Sequence, residues 1–361
     1  MSSAEASRDV LPAGAAGELA AWAEAALRVP VIGVERIPAG IGLRSFWRLR
    51  FAGGPGTAIA RVDAPEDPAG RPAGAAPEPP FEPVRALLER AGLPVPRRYA
   101  ADPERGIELL EDGGPESLCE RFASAGPDER RALLAQALAL VPRLQRVRDD
   151  GSGVAAFARR LDAALFRYKA ELFAGVSLAA ALGRAPSPAE RAAVSEAFDW
   201  IARECDRAPR RLAHRDFQSQ NLLVRNAPGG GPALLLVDLQ GAFLAPPEYD
   251  LVCLLRDSYL ALDDAVVARE CERIRPRLPD APPADAFALR FELLTLTRKG
   301  KDHARFHLAA GRGETRYRRY LAPTAAMLRG AAARTRDVAP PLARLAELIA
   351  CLPAEEPPCA P

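Results

Sequence analysis

The sequence predicts an α+β chain in which a small antiparallel β lobe, residues 16–112, is followed by a larger helical lobe, residues 113–352, with one hairpin embedded in it. Three observations carry that expectation. Early in the chain, VIGVERI, SFWRLRF and TAIARVD are short runs with partly alternating apolar residues, separated by the glycine-containing stretches PAGIG and AGGPG. At Glu111, Asp112, Gly113 and Gly114 a strand candidate ends in a natural hinge, and from Pro115 onward apolar residues recur at helical spacing. Within that half the only strand signals are LLVR and ALLLVD, on either side of the turn NAPGGG.

The elements follow in order. Residues 1–15 are small and polar and read as a disordered N-terminus. A first helix falls on GELAAWAEAAL, with Leu19, Trp22 and Leu27 near one face, and the three strand runs come next. From Ala64 to Pro80 proline, glycine and alanine leave no periodic pattern, so a mobile loop is expected. A helix over PVRALLERAG and strands over PRRYA and IELLED complete the β lobe. In the helical lobe, residues 127–147 open on Pro127 and Asp128 and space Leu133, Leu134, Leu138, Leu140 and Leu144 along a helix. A second long helix opens on Ser187, Pro188 and Glu190, a start signal. Helices resume after Glu248, and residues 353–361 are proline-rich and expected to be disordered. No internal repeat is present.

Composition narrows the function. With 361 residues, 48% of them hydrophobic, the chain can bury the cores of two lobes. No window approaches a membrane-spanning apolar run, and the acidic residues in MSSAEASRDV are unlike a secretory signal, so a cytoplasmic protein without a membrane partner is expected. The 49 basic and 47 acidic residues leave a charge of +2, which gives no reason to expect a nucleic-acid partner. Cys119, Cys205, Cys253, Cys271, Cys351 and Cys359 form no CxxC pair and read as free thiols. Only Lys169, Lys299 and Lys301 are lysines, so arginine is the default cation and a single arginine says little.

The hairpin is where chemistry concentrates. If residues 222–225 and 233–237 pair antiparallel, Asn221 before the first strand and Asp238 after the second must lie close together. An amide oxygen and a carboxylate are hard ligands suited to Mg²⁺. Asp216, five residues before Asn221, can stand nearby as a proton acceptor. Phosphoryl transfer requires this combination: metal ions on the nucleotide phosphates, and a carboxylate that orients and deprotonates the attacking hydroxyl.

HRDFQSQN also has the HxDxxxxN spacing of the kinase catalytic loop, and VDLQG stands where kinases carry DFG. With PPEYDLVCLL soon after Asp238 and no activation-loop APE, the chain resembles the aminoglycoside phosphotransferase and choline kinase superfamily. PPEYDLVCLLRDSY and RKGKDHARF make it most similar to the bacterial kinases that phosphorylate the anomeric hydroxyl of N-acetylmuramate and N-acetylglucosamine in peptidoglycan recycling. The likeness is close from Arg211 to Phe306 and looser before. It implies a two-lobed protein-kinase-like fold, ATP and Mg²⁺ as cofactors, Asp216 as catalytic base, Asn221 and Asp238 as metal ligands, and Asp250 and His214 as residues that hold the catalytic loop. It further implies that the backbone through Leu110, Glu111 and Asp112 meets the adenine and that Gly40, Gly42 and Ser45 of AGIGLRS approach the phosphates, although AGIGLRS serves equally as an ordinary hairpin turn. The β lobe has no lysine, and Arg61 aligns with the position from which kinases supply one to the phosphates.

Residues 283–337 hold twelve basic residues against five acidic ones, which suits a neutral or acidic acceptor better than a polycation. Gln218 stands where many serine/threonine kinases have a lysine, and its amide can bond sugar hydroxyls. Arg256 and Asp257 either reach the sugar or pair within the helical lobe. His303 and His307 lack a third ligand and are expected to pack rather than bind metal, and Lys299 and Lys301 are expected on a solvated basic face. The sequence thus points to an ATP-dependent kinase whose partners are a nucleotide and a sugar. The alternatives are another hydroxyl kinase, of aminoglycoside, choline or homoserine type, and a nucleotide-binding pseudokinase.

Overall fold

Alternating apolar residues early in the chain build one sheet, and the helical periodicity that follows builds a separate body. The computed structural model describes residues 15–38, 44–63, 79–226 and 230–354. The expectations for residues 1–14, Gly40 and Gly42, residues 64–78, the hairpin tip at 227–229 and residues 355–361 lie outside the described residues. The chain divides into one unit of residues 1–77 and 95–114 and another of 78–94 and 115–361.

The first unit holds α1 (Ala15–Leu27) and strands β1 (Val31–Ile37), β2 (Ser45–Phe51), β3 (Thr57–Val62), β4 (Arg98–Asp102) and β5 (Ile107–Glu111). The strands form one antiparallel sheet in the order β1-β2-β3-β5-β4. Period two is visible in what the sheet buries: Leu49 and Phe51, then Ala58, Ala60 and Val62, then Ile107 and Leu109, all packed with Leu19 and Ala23 of α1. The turn between β2 and β3 needs Gly56, whose φ of +73° would strain any side chain. Glu24 of α1 accepts a hydrogen bond from the Val31 amide at 2.7 Å, which ties the helix to the first strand.

The second unit begins with α2 (Phe81–Arg90), which packs on the turn at Leu239–Gly241. This helix therefore belongs with the larger body rather than with the β lobe to which its sequence position assigns it. Next come β6 (Glu116–Ser117), α3 (Leu118–Ser124), α4 (Pro127–Gln145), α5 (Ala163–Leu172), α6 (Ala179–Leu182) and α7 (Pro188–Asp206). Ser187 and Glu190 close a reciprocal capping box at the start of α7, and Ser117 with Glu120 does the same for α3. The strands β7 (Arg211–Ala213), β8 (Leu222–Asn226), β9 (Pro232–Leu236) and β10 (Phe243–Ala245) precede α8 (Tyr249–Leu255), α9 (Asp264–Ile274), α10 (Ala284–Gly311), α11 (Leu321–Thr335) and α12 (Pro340–Ala350).

The expected hairpin is β8 with β9, in register Leu222 to Leu236 and Val224 to Leu234. Three strands beyond those expected accompany it: β6 pairs with β8, and β7 pairs with β10. Each has only two or three residues, too few for alternation to be visible in the sequence. Helix α10 is the spine of this unit and packs on α5, α8 and α11 and on a π-helical turn at Phe173–Leu178. Five cysteines, Cys119, Cys205, Cys253, Cys271 and Cys351, are free thiols, and Cys359 lies outside the described residues. Among the described residues no helix is long and apolar enough to cross a membrane.

Candidate active site

The loop between β7 and β8 is built by hydrogen bonds to its backbone. Asp250, at the start of α8, accepts the amide of His214 at 2.7 Å and that of Arg215 at 3.1 Å. The His214 ring reaches the Val237 carbonyl with Nε2 at 2.9 Å, so Nε2 carries the proton there. This leaves Nδ1 buried without a partner. Arg215 takes a φ of +79°, unusual for a side-chain-bearing residue, and its carbonyl is fixed by Arg298 Nη1 at 2.9 Å. The strained turn is thereby held, with Asp216 at its tip. Farther along, Ser219 donates from both amide and hydroxyl to Asp257 at 2.7 Å, and Asp257 also accepts the Tyr259 amide at 3.0 Å.

Asn221 and Asp238 flank the open end of the hairpin. The Val237 amide donates to the Asn221 carbonyl at 3.0 Å, which continues the ladder up to the two residues. Asn221 Nδ2 donates to the Asp216 carbonyl at 2.8 Å, so its amide oxygen is the end turned to other duties. Asp238 has a φ of +64°, and its Oδ1 accepts Gln240 Nε2 at 2.6 Å. An amide oxygen and a carboxylate are donors of the kind that Mg²⁺ prefers.

Asp216 sits in a strong positive field. Its Oδ1 accepts Arg298 Nη1 at 2.9 Å, and Lys301 Nζ is 3.9 Å away. Burial pushes the carboxyl up, but Arg298, Lys301, Arg215 and Arg305 outweigh burial and hold it well below the usual carboxylate range. About a quarter of the side chain remains exposed. Asp250 behaves in the opposite way: burial raises it to about 6 despite the two amides and His214. Burial also raises Asp257, against Lys299 and its hydrogen bonds.

The run Arg298 to Asp302 on α10 corrects the sequence reading. Lys299 and Lys301 are not on a solvated face; both are buried. Asp302 gathers Arg298 Nε at 3.2 Å, Lys299 Nζ at 2.7 Å and Lys301 Nζ at 3.5 Å, which together overcome burial and hold it well below its ordinary value. A signal was available, because an acid three and four residues after two cations marks one helix face. What spacing does not reveal is Asp216, the partner on another loop.

The other expected residues fall as follows. Arg256 pairs with Asp264 and Glu292, so Arg256 and Asp257 both engage groups of this unit. Gln218 leads the short turn before Asn221. His303 is buried and bonds Ser177 at 2.9 Å, and its ring packs on His307 edge to face. In the first unit, Arg61 is buried and paired with Asp63 at 2.7 Å, while Ser45 Oγ is buried without a partner. Asp112 is held by Arg48 Nε at 2.7 Å, and Glu111 accepts the Arg97 amide at 3.1 Å.

A loop with an acid at its tip, followed by an amide and a carboxylate across a hairpin, is the combination that phosphoryl transfer requires. Residues 33–287 match the model of the phosphotransferase enzyme family, and the chain belongs to that family. Among its relatives is the N-acetylmuramate/N-acetylglucosamine kinase of Pseudomonas aeruginosa, 30% identical over 76% of this chain and 78% of the relative. The protein of the same name from Neisseria meningitidis serogroup B is 27% identical over 85% of this chain and 87% of its own. The fold is that of the choline kinase of Streptococcus pneumoniae, with a TM-score of 0.52 at 15% identity over 86% of this chain and 99% of that one. It is likewise that of an aminoglycoside phosphotransferase solved as a GDP complex, with a TM-score of 0.58 at 13% identity over 90% of this chain and 99% of that one.

Proposed function

We propose that the protein is an ATP-dependent sugar kinase that phosphorylates the anomeric hydroxyl of N-acetylmuramate or N-acetylglucosamine. The observation that carries this reading is the set of cations around Asp216. Enzymes that take polycationic acceptors need carboxylates beside the attacking hydroxyl, whereas here the neighbours of Asp216 on α10 are Arg298 and Lys301. That environment suits a neutral or acidic acceptor and agrees with the names of the relatives.

In this reading Asp216 accepts a hydrogen bond from the sugar hydroxyl and receives its proton as the oxygen attacks the γ-phosphorus. The bond between that phosphorus and the bridging oxygen breaks, and ADP leaves. A carboxylate held below its ordinary range is a weak base. It suits a loose transition state in which the proton departs late and orientation contributes most. Asn221 and Asp238 would hold Mg²⁺, which neutralises phosphate charge when bound. Arg61, Ser45 and the backbone at Glu111 and Asp112 would serve the nucleotide. His214 and Asp250 position the loop through its backbone.

Phosphorus NMR of the protein with Mg²⁺, ATP and each sugar in a separate tube tests this directly. An anomeric sugar phosphate should form, and Asp216→Asn should lower kcat by about 10²–10⁴-fold. A phosphate ester formed on kanamycin or choline, and on neither sugar, would sink the assignment of the acceptor.

A further inference from the structure

The two oxygens of Asp216 face different surroundings. Oδ2 lies toward Gly241, 3.9 Å from where a Cβ on that residue would stand, in the turn that Asp238 opens. Oδ1 lies toward α10 and takes Arg298. Lys301 Nζ comes nearest to Asp216 at Oδ1, the oxygen that also takes Arg298.

Lys301 is also the least satisfied cation of its run. Lys299 pairs with Asp302 at 2.7 Å and donates to Ser258 at 3.4 Å. Arg298 bonds the Arg215 carbonyl and Asp216, both at 2.9 Å. Lys301 Nζ reaches Asp302 only at 3.5 Å and Asp216 only at 3.9 Å, longer than ordinary charged hydrogen bonds, although its side chain is just 11% exposed. Burial, followed by repulsion from Arg298, lowers its pKa to about 7. Beside it, Arg298 Nη2 is buried without a partner. Buried donors of this kind are normally paired, so donor capacity is left over here on one side of the proposed base.

We infer that Lys301 anchors a carboxylate subsite, holding the acid group of the acceptor while Asp216 receives its hydroxyl. The inference rests on the sugar kinase reading above. A carboxylate brings two oxygens to an ammonium whose hydrogens are underused, and it relieves the repulsion between Lys301 and Arg298. With a hydroxyl on Asp216 and a carboxylate on Lys301, each at hydrogen-bond length, the two substrate groups lie within roughly 9 Å. One sugar ring carrying a short acid ether, such as the lactyl ether of N-acetylmuramate, spans that distance.

The experiment compares N-acetylmuramate with its methyl ester, and with N-acetylglucosamine, in wild-type protein, Lys301→Gln and Lys301→Arg. Wild type should favour the free acid over the ester by about tenfold or more in kcat/KM. Lys301→Gln should abolish most of that ratio, and Lys301→Arg should restore it. A wild-type acid-to-ester ratio within about threefold overturns the subsite, and this comparison stands even if the glutamine variant does not fold. A wild-type ratio that persists in Lys301→Gln, with all acceptors slowed alike, also overturns it and places Lys301 in the chemistry common to every acceptor. Wild-type protein that phosphorylates neither sugar overturns the sugar kinase reading itself, and the subsite with it.

Discussion

Asp250 couples one buried proton to the shape of a loop. Its oxygens carry the amides of His214 and Arg215, and burial raises its pKa to about 6 from an ordinary 3.8. A carboxyl raised in the fold contributes stability that is complete below its unfolded pKa and drains away as pH rises through the folded one. Asp250→Asn keeps the size of the side chain but turns an NH₂ group toward an amide that needs an acceptor. At pH 4 the variant should be less stable than wild type by about 1–3 kcal/mol. Because wild type bears the cost of burying the charge only at higher pH, the deficit should shrink between pH 4 and pH 7. Urea titrations at the two values check this; a deficit that grows with pH would contradict it. The place of Asp216 in the loop between β7 and β8 was legible from the sequence HRDFQSQN, whereas its electrostatics were not. Arg298 stands 82 residues away in the chain, and no local pattern announces that contact.

Helix α10 shows the same division at the scale of an element. Its existence followed from periodicity, but its polar run reads as a wet face, and only the packing around it shows that Arg298 to Asp302 point inward. Gly300, between the two lysines, makes this possible. A Cβ there would stand 3.3 Å from Phe173 Cδ2, and Phe173 is itself buried and stacked on Phe198 with ring centroids 6.4 Å apart. Alanine in mid-helix normally gains up to about 1 kcal/mol over glycine. Here Phe173 has little room to retreat, so Gly300→Ala should instead lose about 1 kcal/mol, read by denaturant titration. A gain would show that the π-helical turn carrying Phe173 yields easily. The embedded hairpin was the easier element to find, because Leu222 to Asn226 and Pro232 to Leu236 flank a turn rich in glycine. The short strands β6, β7 and β10 form only because partners elsewhere in the chain supply their hydrogen bonds.

Over the whole molecule, the order of a β unit and a helical unit was legible because each kind of periodicity runs over a long stretch of sequence. The assignment of α2 was not, since a helix between strands gives no sign of which body it packs on. The three lysines follow a rule that only the assembled chain reveals. Among 49 basic residues they alone are not arginine, and Lys169, Lys299 and Lys301 are all buried in the second unit. Their burial has a practical consequence for handling the protein. Reagents that acylate amines find no exposed lysine on the folded surface, so labelling counted by mass spectrometry should be at least about tenfold slower at Lys169 and Lys299 in the native protein than in urea. Rapid native acylation at those two sites would mean that the helices around them open readily. Dyes and supports coupled through lysine suit this protein poorly, and acylation of Lys169 and Lys299 becomes a direct count of how much of the second unit has come apart.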